Sequence, residues 1–157
     1  MCSDTWSKSI DCNLTSHQSL LSIVIPYLEL GLEPAVVFVG SKNVPAPGPF
    51  AAAYSCAKAA LTQLARVAAL ELGSSGIRVN VIHPNAVYDT NLWNESILKK
   101  RADSYGLSVN SYKTKNILQT EIDSSDVAEL VCTMLGKAFS KTTGAQIAID
   151  GGNERVI

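Results

Sequence analysis

The sequence has no long uninterrupted apolar run, no block of like charge and no pattern typical of a leader peptide. Charged residues break its apolar stretches well before the ~20 residues that a membrane-spanning helix needs, so we expect no transmembrane segment. The 13 Lys and Arg residues balance 14 Asp and Glu residues, for a formal net charge of -1. Because no basic stripe interrupts this balance, nucleic acid is not an expected partner. No positively charged segment followed by an apolar one opens the sequence, which favours the cytoplasm over secretion.

Cysteine and histidine are too few and too scattered for a metal centre. The chain has 4 cysteines, none in a CxxC pair, and 2 histidines, His17 and His83. A zinc site needs clustered ligands, so we predict no metal. Isolated thiols in a cytoplasmic protein are usually reduced and buried. We therefore expect mostly buried, unpaired thiols at Cys2, Cys12, Cys56 and Cys132.

The length and composition of the sequence suit a single domain. It has 157 residues, 46% of them hydrophobic and 17% charged, which is enough for one core. Helical periodicity over 4–30 and the Ala- and Leu-rich segment 51–72 predict two long helices. Short apolar runs predict strands at 35–39, 77–82 and 146–149, the first buried on both faces. Strands separated by helices indicate an α/β fold, with a parallel sheet of about three strands and flanking helices.

The residues between the second and third strands are more polar and less regular. We expect short helices near 92–104 and 108–118 in this part of the chain. A further helix is predicted from about 126 to 137, with Ser124 or Ser125 as its N-terminal cap.

The clearest chemical signal is the segment Tyr54-Ser-Cys-Ala-Lys58 on the second long helix. A spacing of four residues places the phenol and the ammonium on one helix face. A cation beside a phenol favours its phenolate form, and such a tyrosine can act as a general acid or base near neutral pH. The spacing alone is common, so the interpretation depends on what surrounds it.

Polar residues near the ends of the strands supply those surroundings. Ser41 follows the first strand, and its hydroxyl is suited to holding a substrate carbonyl oxygen. Asn13 lies on the preceding helix, and Pro84-Asn85 follows the second strand. Ligands of open parallel sheets collect at the carboxyl ends of the strands, so we expect these residues to lie near Tyr54.

In combination, these segments resemble the C-terminal half of the short-chain dehydrogenase/reductase family. The resemblance spans nearly the whole chain and implies a partial Rossmann-like, doubly wound parallel sheet. It also implies hydride transfer between NAD or NADP and a small-molecule alcohol/carbonyl substrate. The matching segments are Asn13-Leu-Thr15, the strand ending at Ser41, Tyr54-x-x-x-Lys58, Ile77-Arg-Val-Asn-Val-Ile-His-Pro84 and Thr143-Gly-Ala-Gln-Ile-Ala-Ile-Asp-Gly-Gly152.

The resemblance implies roles for particular side chains. Tyr54 is the implied acid/base, with Lys58 favouring its phenolate form and holding the nicotinamide ribose. Ser41 orients the substrate oxygen, and Asn13 completes a proton relay. The loop from Pro84 to Thr90 borders the nicotinamide end of the cofactor. The cofactor-binding residues implied in this way are Tyr54, Lys58, Pro84, Asn85, Val87 and Thr90.

Two segments point to a narrower group. The family usually has Pro-Gly where this chain has Pro84-Asn85. The segments His83-Pro-Asn-Ala-Val-Tyr-Asp-Thr90 and Asp150-Gly-Gly-Asn-Glu-Arg-Val-Ile157 resemble the dehydrogenase half of bifunctional rhamnulose-phosphate aldolase/alcohol dehydrogenases. This likeness implies a small hydroxy-aldehyde or a sugar-derived substrate.

A larger departure from the family is the lack of a Gly-rich turn. Neither Gly-x-x-x-Gly-x-Gly nor Gly-x-Gly-x-x-Gly occurs, although nicotinamide-binding domains hold the pyrophosphate at such a turn. The resemblance therefore implies that residues 1–157 are the C-terminal portion of one domain, without its cofactor-binding half. Strand 35–39 then has an open edge, which favours association. Helices 4–30 and 51–72, the second apolar on several faces, are expected to form a homo-oligomer interface.

The sequence leaves two other functions open, and it favours a structural role for one histidine. A non-catalytic truncated domain would act only in dimerisation or partner binding, and the missing phosphate-binding turn favours it. Ser55-Cys-Ala-Lys58 also matches the Ser-x-x-Lys motif of penicillin-recognising enzymes. That class also needs Ser-Asp-Asn, which does not occur, and Lys-Thr-Gly, from which Lys141-Thr-Thr-Gly144 departs. For His83, which adjoins Pro84 in a loop, a structural role is favoured over catalysis.

Overall fold

The computed structural model describes residues 2–152, so the 153–157 part of the family resemblance lies outside the described residues. Helices and strands alternate as the sequence predicts. Single 3-10 turns lie at Gly73–Ser75 and Lys137–Phe139. The elements are α1 (Ser3–Ile10), a π-helical turn (Asp11–Thr15), α2 (Ser16–Leu28), β1 (Ala35–Val39), α3 (Ala52–Leu72), β2 (Arg78–Pro84), α4 (Glu95–Ser104), α5 (Val109–Lys113), α6 (Ser124–Leu135) and β3 (Gln146–Ile149).

The three strands form one parallel sheet in the order β1-β2-β3, which confirms the predicted α/β fold. Every residue of the central strand β2 is buried. The expectation that β1 is buried on both faces was wrong: only Phe38 is buried and Val39 is exposed. The reason is its place at the edge of the sheet, where β2 is its only neighbouring strand within residues 2–152.

Helix α3 packs against the sheet and also against α1 and the π-helical turn, and it leaves its far side open. Alanines at 57, 65 and 68 let the helix approach β2 closely, and Leu61 fills the space between them. On the far side Leu70 is 84% exposed. The helix is therefore covered by the sheet and by the first long helix, and the burial that the composition predicts does not extend to its far side.

The predicted helix 4–30 is continuous from α1 to α2 and contains the π-helical turn in its middle. Its last turn tolerates Pro26, and the chain leaves the helix where the Gly31 amide donates to the Leu28 carbonyl at 2.9 Å. None of the helices described in residues 2–152 combines the length and apolar character needed to cross a bilayer.

Strand β2 extends through Pro84. The prediction that the strand stops before this proline was therefore wrong. A proline lacks an amide proton but keeps its carbonyl. Here the Pro84 carbonyl accepts from the Lys42 amide at 2.9 Å, and the next amide, that of Asn85, donates to Ile149 at 3.1 Å. The ladder therefore passes the proline without an unsatisfied donor.

Helix α6 is capped by Asp123, so the prediction of Ser124 or Ser125 was wrong. The Asp123 carboxylate accepts from the amides of Ser125 at 2.8 Å and Asp126 at 3.0 Å, and the Asp126 carboxylate accepts from the Asp123 amide at 2.9 Å. This reciprocal capping box satisfies the first amides of the helix. At its other end, Arg78 donates to the carbonyls of Met134, Leu135 and Phe139.

Replacing Asp123 with Asn is expected to flatten the acid dependence of stability. Hydrogen bonds from the Ser125 hydroxyl and the Asp126 amide hold the pKa of Asp123 below its ordinary value. A depressed folded-state pKa adds stability above the unfolded value of about 4, and this is lost as pH falls through the folded value. Asn keeps the acceptor without titrating. Melting temperatures of both proteins from about pH 2 to pH 7 measure the effect, and a pH-independent difference would contradict it.

The expectation of mostly buried thiols was wrong, because all four cysteines are exposed. Cys56 lies on the outer side of α3, where the adjacent Ala57 takes the buried position. Cys132 lies on the outer side of α6, and Met134 fills the buried position there. Small or flexible apolar neighbours occupy the core positions, so the thiols remain unpaired at the surface.

Candidate active site

The carboxyl end of β1 continues along β2 beyond the last residue of the strand. The Gly40 amide donates to the Ile82 carbonyl at 2.8 Å, and the Lys42 amide donates to the Pro84 carbonyl at 2.9 Å. Ser41 lies between these two bonds and is buried. The structure thus holds Ser41 rigidly at the edge where ligands of parallel sheets collect.

The Ser41 hydroxyl is prepared to act as a hydrogen-bond donor. Its oxygen accepts from the Asn43 amide at 3.1 Å. A hydroxyl has one proton and two lone pairs, so accepting this bond leaves the proton for a group outside the loop. A substrate oxygen is the kind of acceptor that the sequence predicts here.

Tyr54 and Lys58 lie on one face of the first turns of α3. The ammonium of Lys58 is 5.9 Å from the centroid of the Tyr54 ring, as their spacing of four residues predicts. Tyr54 is 36% exposed, whereas Lys58 is 8% exposed. The pair therefore combines a phenol that a ligand can reach with a cation that is largely shielded from water.

Lys58 ties α3 to the end of β1. Its Nζ donates to the Val39 carbonyl at 2.9 Å, two residues before Ser41. Burial lowers the pKa of Lys58 below its ordinary value. An ammonium has three donors, so two remain for a bound molecule within the described part of the chain. The structure brings Ser41, Tyr54 and Lys58 to one edge of the sheet.

Asn13 lies in the π-helical turn, which packs against α3. Its side-chain amide donates to the Ser9 carbonyl at 3.1 Å, and the residue is half-buried. Single π turns inside helices occur often at functional sites. The local structure therefore singles out Asn13, while its contribution to a proton relay stays a prediction.

His17, one turn beyond Asn13, is a site residue that sequence reasoning treated only as a possible metal ligand. Its ring centroid lies 6.4 Å from that of Phe38 on β1. Burial, and then the charge of Lys58, lower the pKa of His17. Its spacing of four from Asn13 was a signal that could have placed it on the same helix face.

The loop after β2 is bonded on both sides at its start. The Pro84 carbonyl accepts from the amide of Lys42, the residue after Ser41, and the Asn85 amide donates to the Ile149 carbonyl on β3. Further on, the Thr90 hydroxyl donates to the Val87 carbonyl at 2.9 Å, so both residues engage their own loop. Asp89 accepts from the Ser124 amide at 3.0 Å, which ties the loop to α6.

An aromatic cluster supports this loop, and sequence reasoning did not anticipate it. The ring centroid of Tyr88 lies 5.2 Å from that of Trp93 and 6.2 Å from that of Tyr112, which is in turn 5.6 Å from Tyr105. Burial raises the pKa of Tyr88 above its ordinary value. The four rings join the loop to α5 and to the end of α4.

The residues fit one end of a nicotinamide cofactor and not the other. Buried Lys58 retains donors beside an accessible Tyr54 phenol, which is a donor set suited to ribose hydroxyls. The phosphate end needs a Gly-rich turn at a helix N-terminus, and the sequence contains none. Within residues 2–152, no group of three or more His, Cys, Asp or Glu side chains lies close enough to hold a metal ion.

Comparisons with known proteins point in one direction. A protein-family model described as enoyl-(acyl carrier protein) reductase matches residues 1–154. The uncharacterized oxidoreductase YuxG of Bacillus subtilis is 40% identical over 123 residues, which cover 75% of this chain and 18% of that protein. Other curated relatives match over nearly the whole chain, which spans only 51% to 54% of their lengths.

Solved structures agree with these relatives. A short chain dehydrogenase family protein from Francisella tularensis superimposes with a TM-score of 0.82 at 28% identity, covering 96% of this chain and 62% of that one. A 4-hydroxyisoleucine dehydrogenase mutant complexed with NADH and succinate gives a TM-score of 0.80 at 28% identity, covering 98% and 60%. The likeness includes the sheet and the helices that carry the candidate site.

Proposed function

Because this chain belongs to the short-chain dehydrogenase/reductase family, we propose that it takes part in reversible hydride transfer between NAD or NADP and an alcohol/carbonyl pair. The observation that carries the proposal is the Lys58 ammonium, which is buried, bonded to Val39 and beside the Tyr54 phenol. Ser41, held at the same edge, supplies a donor for a substrate oxygen. Together they favour catalysis over a purely associative role.

Each side chain has a distinct task in this proposal. A bound nicotinamide cofactor would supply the hydride acceptor for alcohol oxidation and the hydride donor for carbonyl reduction. Tyr54 takes the proton of the alcohol hydroxyl, and in the reverse direction it gives that proton to the carbonyl oxygen. Ser41 donates to the same oxygen and, with the charge of Lys58, stabilises the negative charge that develops there. Asn13 links the ammonium to solvent as a proton relay.

The nicotinamide end of the cofactor is assigned to the carboxyl edge of the sheet. Lys58 and Tyr54 would hold the ribose, and the loop after β2 would border the nicotinamide end. Support comes from the backbone bond that joins Pro84 to Lys42, the residue after Ser41. The Thr90 hydroxyl, in contrast, donates to Val87 within the loop.

The phosphate-binding turn belongs, in this proposal, to another part of the same domain. Residues 1–157 form its C-terminal portion, and the missing part pairs with the outer edge of β1. Two observations support this organisation. The chain spans about half the length of most of its curated relatives, and β1 lies at the sheet edge with Val39 exposed.

The proposed function also includes a substrate class, an oligomeric state and a cellular compartment. A small hydroxy-aldehyde or sugar-derived compound is the substrate class, on the sequence likeness of residues 83–90. A homo-oligomer forms through the long helices, since Leu20, Ile23, Tyr27 and Leu70 are exposed along them. The cytoplasm is the compartment, because the exposed thiols are unpaired.

Calorimetric titration with NAD(H) and NADP(H) tests the function, and Lys58→Met is the informative variant. Methionine preserves the length of the side chain but removes the ammonium and its bonds to cofactor. We expect cofactor affinity to fall about tenfold, the effect of losing ~1.4 kcal/mol. Lys137→Met, which removes an exposed lysine beyond α6, serves as the control and should bind as the unaltered chain does.

Two outcomes of the titration would count against the proposal. Equal affinities of the unaltered chain and Lys58→Met would remove Lys58 from the cofactor site. Absence of binding by a folded chain would mean that these residues form no cofactor site without the rest of the domain. Turnover, followed by NAD(P)H absorbance with short polyols and hydroxy-aldehydes, then identifies the substrate class.

A further inference from the structure

A single imidazole at the carboxyl end of β2 links the segment that follows β1 to the first residue of β3. His83 lies on β2 and is buried. Its Nδ1 is 3.2 Å from the Ser41 amide nitrogen and 3.0 Å from the Ser41 carbonyl oxygen. Its Nε2 is 3.0 Å from Oε1 of Gln146, the first residue of β3. We call these three residues the His83 bridge.

The position of the ring proton decides which group donates in each hydrogen bond of the His83 bridge. A neutral imidazole has one donor and one acceptor nitrogen. Gln146 presents its side-chain oxygen to Nε2, and an amide oxygen only accepts, so this contact favours the tautomer with the proton on Nε2. Nδ1 then accepts from the Ser41 amide. The Ser41 carbonyl, 3.0 Å from Nδ1, favours the opposite tautomer, so the contact with Gln146 is what lets the ring hold Ser41 by its N–H group.

Gly40 makes room for this contact. A Cβ at Gly40 would lie 2.6 Å from Nδ1 and 2.9 Å from Cε1 of His83. A Cβ does not approach non-bonded atoms this closely in folded proteins. A side chain at Gly40 would therefore displace the ring or the chain before Ser41. The segment that carries Ser41 is thus packed directly on the imidazole.

We infer that His83, oriented by Gln146, is a positioning residue that fixes Ser41 and so directs its hydroxyl towards the substrate oxygen. The inference rests on the proposed function for the role of Ser41. A displacement of about 1 Å in a catalytic donor can cost 10²-fold in rate. Rigid support beneath Ser41 therefore matters more to turnover than to cofactor binding, in which His83 takes no part.

Three variants at His83 separate the two ends of the bridge. Asn places an amide oxygen near the position of Nδ1, so His83→Asn keeps an acceptor for the Ser41 amide. Gln reaches the position of Nε2, so His83→Gln keeps the Gln146 contact and loses the Ser41 contact. His83→Ala loses both. A residue that only filled space would not distinguish Asn from Gln in this way.

The first readout is nuclear magnetic resonance of the 15N-labelled chain, which needs no cofactor. The chain has 2 histidines, so a His17→Asn variant assigns the two rings. We expect the Nε2–H tautomer at His83, and amide hydrogen exchange at Ser41 at least tenfold faster in His83→Gln and His83→Ala than in His83→Asn. An Nδ1–H tautomer or equal exchange rates would overturn the inference.

A variant at the surface end of the bridge covers the case in which the His83 variants do not fold. Gln146 is exposed, so Gln146→Leu removes the acceptor with little effect on the core. It should release the tautomer and speed Ser41 exchange at least threefold, whereas Gln146→Glu keeps an acceptor and the slow exchange. Unchanged exchange in Gln146→Leu would contradict the role of Gln146.

Steady-state kinetics of the protein that turns over substrate provide the second readout. His83→Gln should lower kcat at least tenfold with unchanged cofactor affinity, and His83→Asn should stay within threefold of the unaltered enzyme. Parallel losses of kcat and cofactor affinity in both variants would indicate a merely structural residue. Absence of turnover by the unaltered protein would count against the proposed function, while the ring spectrum and Ser41 exchange still decide the bridge.

Discussion

Tyr54→Phe is expected to lower turnover by about 10²- to 10⁴-fold, the usual contribution of a general acid or base. The substitution removes one oxygen atom from a ring that is 36% exposed, so the fold and its melting temperature should not change. The ring still packs beside Lys58, and only the proton transfer is lost. Initial rates of NAD(P)H formation from the alcohol substrate measure the effect.

Tyr105→Phe is the matched control for this experiment. Tyr105 follows α4 and is 53% exposed, and the variant deletes the same hydroxyl while the ring keeps its contact with Tyr112. Its turnover should equal that of the unaltered enzyme. If Tyr54→Phe were as active as this control, Tyr54 would not be the acid/base, and the spacing of Tyr54 and Lys58 would be a feature of helix packing alone.

Asn80→Ala is expected to reduce the free energy of unfolding by about 2–4 kcal/mol. Asn80 is 1% exposed, in the middle of β2. Its side chain donates to the Thr142 carbonyl at 3.0 Å and accepts from the Ala145 amide at 2.9 Å. Alanine would leave both backbone groups without these partners and create a small cavity. The loss is a large part of the 5–15 kcal/mol typical of a domain.

Denaturant titration measures this change through the midpoint and slope of the transition. Asn91→Ala, in an exposed loop, is the control and should stay within about 0.5 kcal/mol of the unaltered protein. A loss at Asn80 below about 1 kcal/mol would mean that water replaces the side chain at the start of β3. Because the same turn leads into Gln146, the variant should also speed amide exchange at Ser41.

The open edge of β1 and the candidate site are physically connected through Lys58. Lys58 binds the carbonyl of Val39, so any strand that pairs with the outer edge of β1 also stiffens the anchor of the ammonium. His17 lies beside Phe38 on β1, and burial together with the charge of Lys58 lowers the pKa of His17. Completion of the sheet is therefore expected to order the cation, as well as to supply the phosphate-binding turn.

The sequence by itself determined the elements and the pair at the centre of the site. Apolar periodicity predicted both long helices and all three strands, since local periodicity reflects which face of each element is buried. The Tyr54–Lys58 neighbourhood followed from helix geometry, because four residues are about one turn. The family resemblance depended on these same local motifs. Exact ends were less predictable, as at Pro84 and Asp123, because single hydrogen bonds decide them.

Only the tertiary structure decided which distant residues meet. His83 contacts Ser41 and Gln146, which are 42 and 63 residues away, and no local pattern encodes either distance. The exposure of all four thiols and the position of His17 beside Phe38 were also outside the reach of the sequence. Periodicity specifies one face of one element at a time. Contacts between faces arise from how the strands register and the helices pack, which is a property of the whole chain.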